Sequence, residues 1–218
     1  MTDAEYLLEF LAQKNIPTVA RRRREYLIYY GSEVSHTFVL KEGVIKTSVI
    51  LRDGREFNIA YLQAPDIISL MRDEVSKYTS APFNVRVESE QAVFYRVPRV
   101  EFWADINADP RLQAYVKNYY RQQLSASIYR QQIMTMNGKK GAVCAFLYGL
   151  IGPFGRRTAR GVEIGLPVTN EDIAGFCGIS TRNSVNRILR ELREEGAVET
   201  APALLIKDPE RLARHMAV

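Results

Sequence analysis

The chain has 218 residues, 46% of them hydrophobic and 25% charged, which excludes a disordered or fibrous chain and fits an ordinary globular protein. That length holds one large or two modest domains, each able to bury a core. The formal net charge of +5 suits a polyanionic partner without demanding one.

Met1 is followed by Thr2, Asp3, Ala4 and Glu5, with neither the basic start nor the apolar core of an export signal, so a cytoplasmic location is expected. A short helix is expected around Tyr6 to Gln13. The run Arg21 to Arg24 then reads as a solvated loop before a strand, with nucleic-acid or polymerase contact as its second reading.

From Glu25 to Pro98 the chain breaks into short β-type pieces: Tyr26 to Tyr30, His36 to Leu40, Val44 to Leu51, Glu56 to Leu62, Phe83 to Glu88 and Ala92 to Val97. Gly31-Ser32, Glu42-Gly43, Asp53-Gly54, Ala64-Pro65 and Ala81-Pro82 separate them as turn signals. Asp53-Gly54 predicts a hairpin with a type I′ turn, because glycine accepts positive φ. A small β-sandwich or roll follows.

Beyond Val100 the texture is helical. Asp109 can cap and Pro110 can open a long helix reaching about Met136. Leu112, Tyr115, Val116 and Tyr119 share a face that continues through Gln123, Ala126 and Ser127. The helix is either a core helix on the β domain or a dimerising helix with a polar pocket midway. Asn137-Gly138 ends it. The longest apolar run, Ala142 to Ile151, is about half a bilayer crossing and reads as a buried helix, so no membrane partner is expected.

The last eighty or so residues carry the informative pattern. Thr169 precedes Asn170-Glu171-Asp172, so it can cap a short helix with a carboxylate at its third position. Gly178 permits a tight turn, and Ser180 or Thr181 caps a second helix buried through Val185, Ile188, Leu189 and Leu192. Arg182, Asn183, Asn186, Arg187 and Arg190 are left on its open side. Arginine can bond two acceptors on guanine, asparagine can bond adenine likewise, and Ser or Thr can hold phosphates. Thr169, Asn170, Ser180, Thr181, Arg182, Asn183, Asn186 and Arg187 are therefore the candidate contacts to double-stranded DNA. After Gly196, the strands Ala197 to Thr200 and Leu204 to Lys207 make a wing-sized hairpin, with Val162 to Leu166 as a third strand. Lys139, Lys140, Arg156, Arg157 and Arg160 flank the motif and suit phosphates.

Three blocks of this half, Leu166-Pro167-Val168-Thr169-Asn170-Glu171-Asp172-Ile173-Ala174, Gly178-Ile179-Ser180 and Ser184-Val185-Asn186-Arg187-Ile188-Leu189, resemble the DNA-binding domain of the Crp/Fnr regulators. Gly31, Phe38-Val39-Leu40, Gly43, Lys46 and Asp53-Gly54 are similar to that family's cyclic-nucleotide-binding-type β-roll. The resemblance implies an α+β chain with a β-roll sensor over 1–108, a dimerisation helix over 109–136 and a winged helix-turn-helix over 137–218. It further implies a homodimer on a two-fold symmetric promoter site, with RNA polymerase as a partner. The stretch Asn137 to Cys144 and the turn Gly178 to Val185 look like the branch of the listerial positive regulatory factor A.

Effector expectations rest largely on absences. Ala64-Pro65-Asp66-Ile67-Ile68-Ser69 and Tyr78-Thr79-Ser80-Ala81-Pro82 stand where cyclic-nucleotide binders carry their phosphate cassette. Asp66 would repel a phosphate, leaving Arg72 or Arg86 to make a lone contact, so cyclic AMP is not expected. An iron-sulfur cluster needs more thiolates than the two present, Cys144 and Cys177, which read as buried structural cysteines, with a redox role as the second reading of Cys177 just before the turn. His36 and His215 have no metal-ligand spacing. Relatives similar to the listerial factor respond to glutathione or peptides, and Tyr61, Leu62, Gln63 and Gln123 would face such a ligand here. The aromatic-aromatic-lysine pattern of that branch is reduced to Tyr61-Leu62-Gln63, which loses a cation. No constellation of nucleophile, base and orienting group suggests an enzyme. A ligand-free, constitutive regulator whose β-roll is an oligomerisation and polymerase-contact scaffold is the alternative.

Overall fold

In a computed structural model of the chain, residues 1–68 and 79–216 are described; Ser69, Arg72 and Tyr78 lie outside the described residues. The chain packs into two compact units, one of 1–49 with 59–124 and one of 50–58 with 125–218.

The first unit begins at a capping box in which Thr2 and Glu5 satisfy each other's backbone amides. That box starts α1 (Asp3–Gln13), whose Leu7 and Leu11 are buried four residues apart. Among the described residues ten strands follow: β1 (Thr18–Arg22), β2 (Tyr26–Ile28), β3 (Glu33–Val34), β4 (His36–Glu42), β5 (Val44–Ile50), β6 (Glu56–Gln63), β7 (Asp66–Ile68), β8 (Thr79–Ser80), β9 (Asn84–Val87) and β10 (Gln91–Pro98). They form sheets of order β1-β10-β4-β7 and β2-β9-β5-β6, with β3-β8 as a two-stranded piece.

Alternation along the strands sorts side chains between two cores. Phe38, Leu40, Ala92 and Phe94 of the first sheet meet Ile28, Ile45, Val85 and Val87 of the second. Val39, Tyr95 and Val97, on the opposite face of the first sheet, pack against α1, α2 (Arg99–Ala108) and the start of α3 (Pro110–Met136) through Leu7, Phe102, Trp103, Leu112 and Val116. Each such fully buried side chain contributes about 1.5–3 kcal/mol.

Two segments depart from what the sequence predicts. The arginine run is not all loop: Arg21 and Arg22 lie in β1, which pairs antiparallel with β10 as an edge strand. The β5–β6 turn is not type I′, since Gly54 N donates to Leu51 O and Leu51 N donates to Arg55 O. With Gly54 at φ +81°, that pattern is a three-residue loop closing on a left-handed glycine.

Asp109 caps α3 as expected, accepting from the amides of Arg111 and Leu112 at 2.8 and 3.1 Å. Tyr6 Oη donates to the same carboxylate at 2.6 Å. Leu112 and Val116 are buried, whereas Gln123, Ala126 and Ser127 are exposed. The exposed middle of α3 carries an apolar row at a spacing of four, Tyr120, Leu124 and Ile128.

The second unit follows with α4 (Gly138–Gly149), α5 (Ile151–Phe154), β11 (Gly155–Thr158), β12 (Gly161–Ile164), α6 (Asn170–Cys177), α7 (Arg182–Glu194), β13 (Val198–Glu199), β14 (Leu205–Ile206) and α8 (Pro209–Ala213). The wing sheet runs β11-β12-β14-β13, one strand more than the sequence suggested. Phe146 of α4 stacks on Phe176 of α6 with ring centroids 4.7 Å apart. Among the described residues, no helix is long and apolar enough to cross a membrane.

Candidate nucleic-acid interface

The interface is built on two capped helices. Thr169 Oγ1 accepts from Asp172 N at 3.1 Å, and Asp172 Oδ2 accepts from Thr169 N at 3.0 Å, closing a capping box at the start of α6. Gly178 ends α6 at φ +62°, ψ +27°, a conformation that glycine adopts without the Cβ penalty. Thr181 then caps α7 by accepting from Ser184 N at 3.3 Å. Recognition-helix geometry therefore begins at Arg182, and Ser180 lies exposed in the turn before it.

The buried stripe of α7 is Val185, Ile188, Leu189 and Leu192, each no more than 4% exposed. Arg182, Asn183, Asn186, Arg187 and Arg190 are all exposed on the other side. They differ in how they are held. Arg182 Nη1 donates to Glu171 Oε1 at 3.0 Å, Asn186 accepts from Asn170 Nδ2, and Arg190 pairs with Glu194 at 3.8 Å. Asn183 and Arg187 stand exposed close to the N-terminal end of α7, where side chains reach base edges. Thr169 and Thr181 spend their hydroxyls on caps, yet both stand at helix N-termini, where backbone amides favour phosphate. Glu171, which the sequence did not single out, holds Arg182 of the candidate reading face; only its place in the capping sequence hinted at it.

Of the flanking basic residues, Arg157 is exposed. Arg156 pairs with Glu163 at 3.0 Å and Arg160 with Glu199. Lys140 is a brace rather than a free cation, 2.7 Å from Glu195 and 3.3 Å from Glu191. Hydrogen bonding to Lys140, then to His215 Nε2 at 2.7 Å, holds the Glu195 carboxyl below the usual range. This cluster ties α4, the end of α7 and the chain beyond α8 together.

Both cysteines are buried, and burial pushes each thiol up to about 12. The four residues expected to face an effector have different settings. Leu62 packs toward the sandwich interior, Tyr61 is half-buried, and Gln63 and Gln123 are exposed. Burial raises the Asp66 carboxyl to about 6. Among the described residues, no group of His, Cys, Asp and Glu could hold a metal ion.

Residues 141–215 match the Crp-like helix-turn-helix domain. The chain is 57% identical to the lactate racemization regulatory protein of Lactiplantibacillus plantarum, over 91% of this chain and 90% of that one. The listeriolysin regulatory protein of Listeria monocytogenes is 25% identical over 89% of this chain and 82% of its own, so the listerial branch is the more distant of these two relatives. A solved transcriptional regulator of the CRP/FNR family from Thermus thermophilus shares the fold at a TM-score of 0.76 and 16% identity, covering 93% of this chain and 99% of that one. With a capped helix-turn-helix, a wing and a β-roll now joined to a relative of this identity, the chain belongs to the Crp/Fnr family of DNA-binding transcription regulators.

Proposed function

We propose that the chain acts as a homodimer on a two-fold symmetric promoter site and controls genes of lactate racemization. The observation that carries the reading is the exposed Asn183 to Arg187 face on a helix capped at Thr181. Two copies, paired along the Tyr120, Leu124 and Ile128 row of α3, would set two such helices about one DNA turn apart. The target genes are inferred from the name of the relative at 57% identity. RNA polymerase is the further partner, in the cytoplasm.

A small ligand other than cyclic AMP modulates the dimer in this reading. Tyr61, Leu62, Gln63 and Gln123 are its proposed contacts, and glutathione, short peptides and the two enantiomers of lactate are the compounds to try. A genome-wide binding map tests the target: occupancy concentrated on inverted repeats upstream of lactate racemization genes supports it, and occupancy elsewhere refutes it. Calorimetric titration of the pure protein with those compounds tests the effector. Flat traces throughout, with tight DNA binding by the free protein, would leave the constitutive scaffold.

A further inference from the structure

The tip of the β5–β6 hairpin, residues 50–58, belongs to the same compact unit as the helix-turn-helix, whereas the rest of β5 and β6 belongs to the other. Asn58, 1% exposed, donates from Nδ2 to the main-chain carbonyl of Asp172 at 3.1 Å. Asp172 is the buried member of the capping box that starts α6. Three residues on, a Cβ on Gly175 would lie 2.5 Å from Asn58 Nδ2 and 2.7 Å from the Glu56 carbonyl oxygen. Only a residue without a side chain permits that approach. Glycine inside a helix costs roughly 0.5–1 kcal/mol relative to alanine, and close packing of the hairpin is what that cost secures here.

The contact is also incompletely satisfied. Asn58 Oδ1 is buried without a hydrogen-bond partner among the described residues, a penalty that is relieved whenever the side chain returns to water. Arg55 and Phe57 of the tip line one groove with Gly178, Ser180 and Arg182, so the tip borders the turn that leads into α7.

We propose that Asn58 is a positioning residue for DNA reading. The hairpin tip seats α6 through a latch of Asn58 and Gly175, and α6 carries the turn and the start of α7. The proposal rests on the reading of α7 as the base-contacting helix.

The test uses the full chain, a duplex selected by the unaltered protein from a random pool, and the unselected pool as control. Asn58→Asp places a carboxylate oxygen against the Asp172 carbonyl, Asn58→Ala deletes the bond, and Gly175→Ala forces the tip away. Each is expected to weaken binding to the selected duplex, Asn58→Asp by about tenfold, while affinity for the unselected pool stays within about twofold. Unchanged or tighter binding to the selected duplex, or equal loss on both DNAs, would overturn the latch. Arg187→Ala in the same assay separates the two claims. If it leaves the selected-to-unselected ratio intact, the role of α7 falls, while the latch is still judged by the ratio its own variants give.

Discussion

Asp66 offers a quantitative probe of the β-roll. Its carboxyl rises from 3.8 to about 6, chiefly by burial, against the opposing effect of the Ile67 amide, which donates to Oδ1 at 2.7 Å. A raised carboxyl favours the protonated folded state. The folded protein therefore loses stability as pH climbs from about 4 to about 6 and carries the full penalty above that. The shift corresponds to about 3 kcal/mol; because Asp66 keeps some surface, the expected effect is nearer about 2 kcal/mol. An asparagine in its place would preserve the acceptor for Ile67 and remove the charge. Urea unfolding of Asp66→Asn should thus show a gain of about 2 kcal/mol over the parent at pH 7 that shrinks toward zero near pH 4. A difference that does not change with pH, or a loss at pH 7, would refute burial as the cause.

Thr169→Ala removes the hydroxyl that caps α6 and should cost about 1 kcal/mol, read as a lower melting midpoint; an unchanged midpoint would show that the box contributes nothing. If the proposed homodimer pairs along the exposed row of α3, Leu124→Asp should leave a monomer in sedimentation equilibrium where the parent is a dimer, without loss of helicity, and a dimer that persists would place the contact elsewhere. Cys144 and Cys177, with thiols near 12, should resist alkylation at about pH 8 until the protein is unfolded. Rapid labelling of the native chain would contradict their burial.

Where a residue's setting depends on its near neighbours, the sequence announced it. The boundaries of α3 follow from Asp109-Pro110 and Asn137-Gly138 and match within a residue. The buried stripe of α7 and both caps of the helix-turn-helix were legible for the same reason. Edge strands were harder. Arg21 and Arg22 sit in β1 with only Val19 and Arg21 turned partly inward, and β11 is exposed at every position, so neither shows apolar alternation. The Tyr120, Leu124 and Ile128 row was hidden because the helix was phased on Leu112, whose face the first unit buries. Asn58 could not be found from spacing, since its partner lies 114 residues away. The one trace it leaves is Gly175, a glycine within a short helix where alanine would otherwise serve better.

Arg187→Ala tests the central claim most directly. Fluorescence anisotropy against the selected duplex, its single-base variants and an unselected pool should show a loss of roughly 1–3 kcal/mol per half-site and relaxed discrimination at one symmetric base pair, with the unselected pool little changed. An equal loss on every DNA, with discrimination intact, would make Arg187 a phosphate contact and contradict the assignment of α7 as the helix that reads sequence.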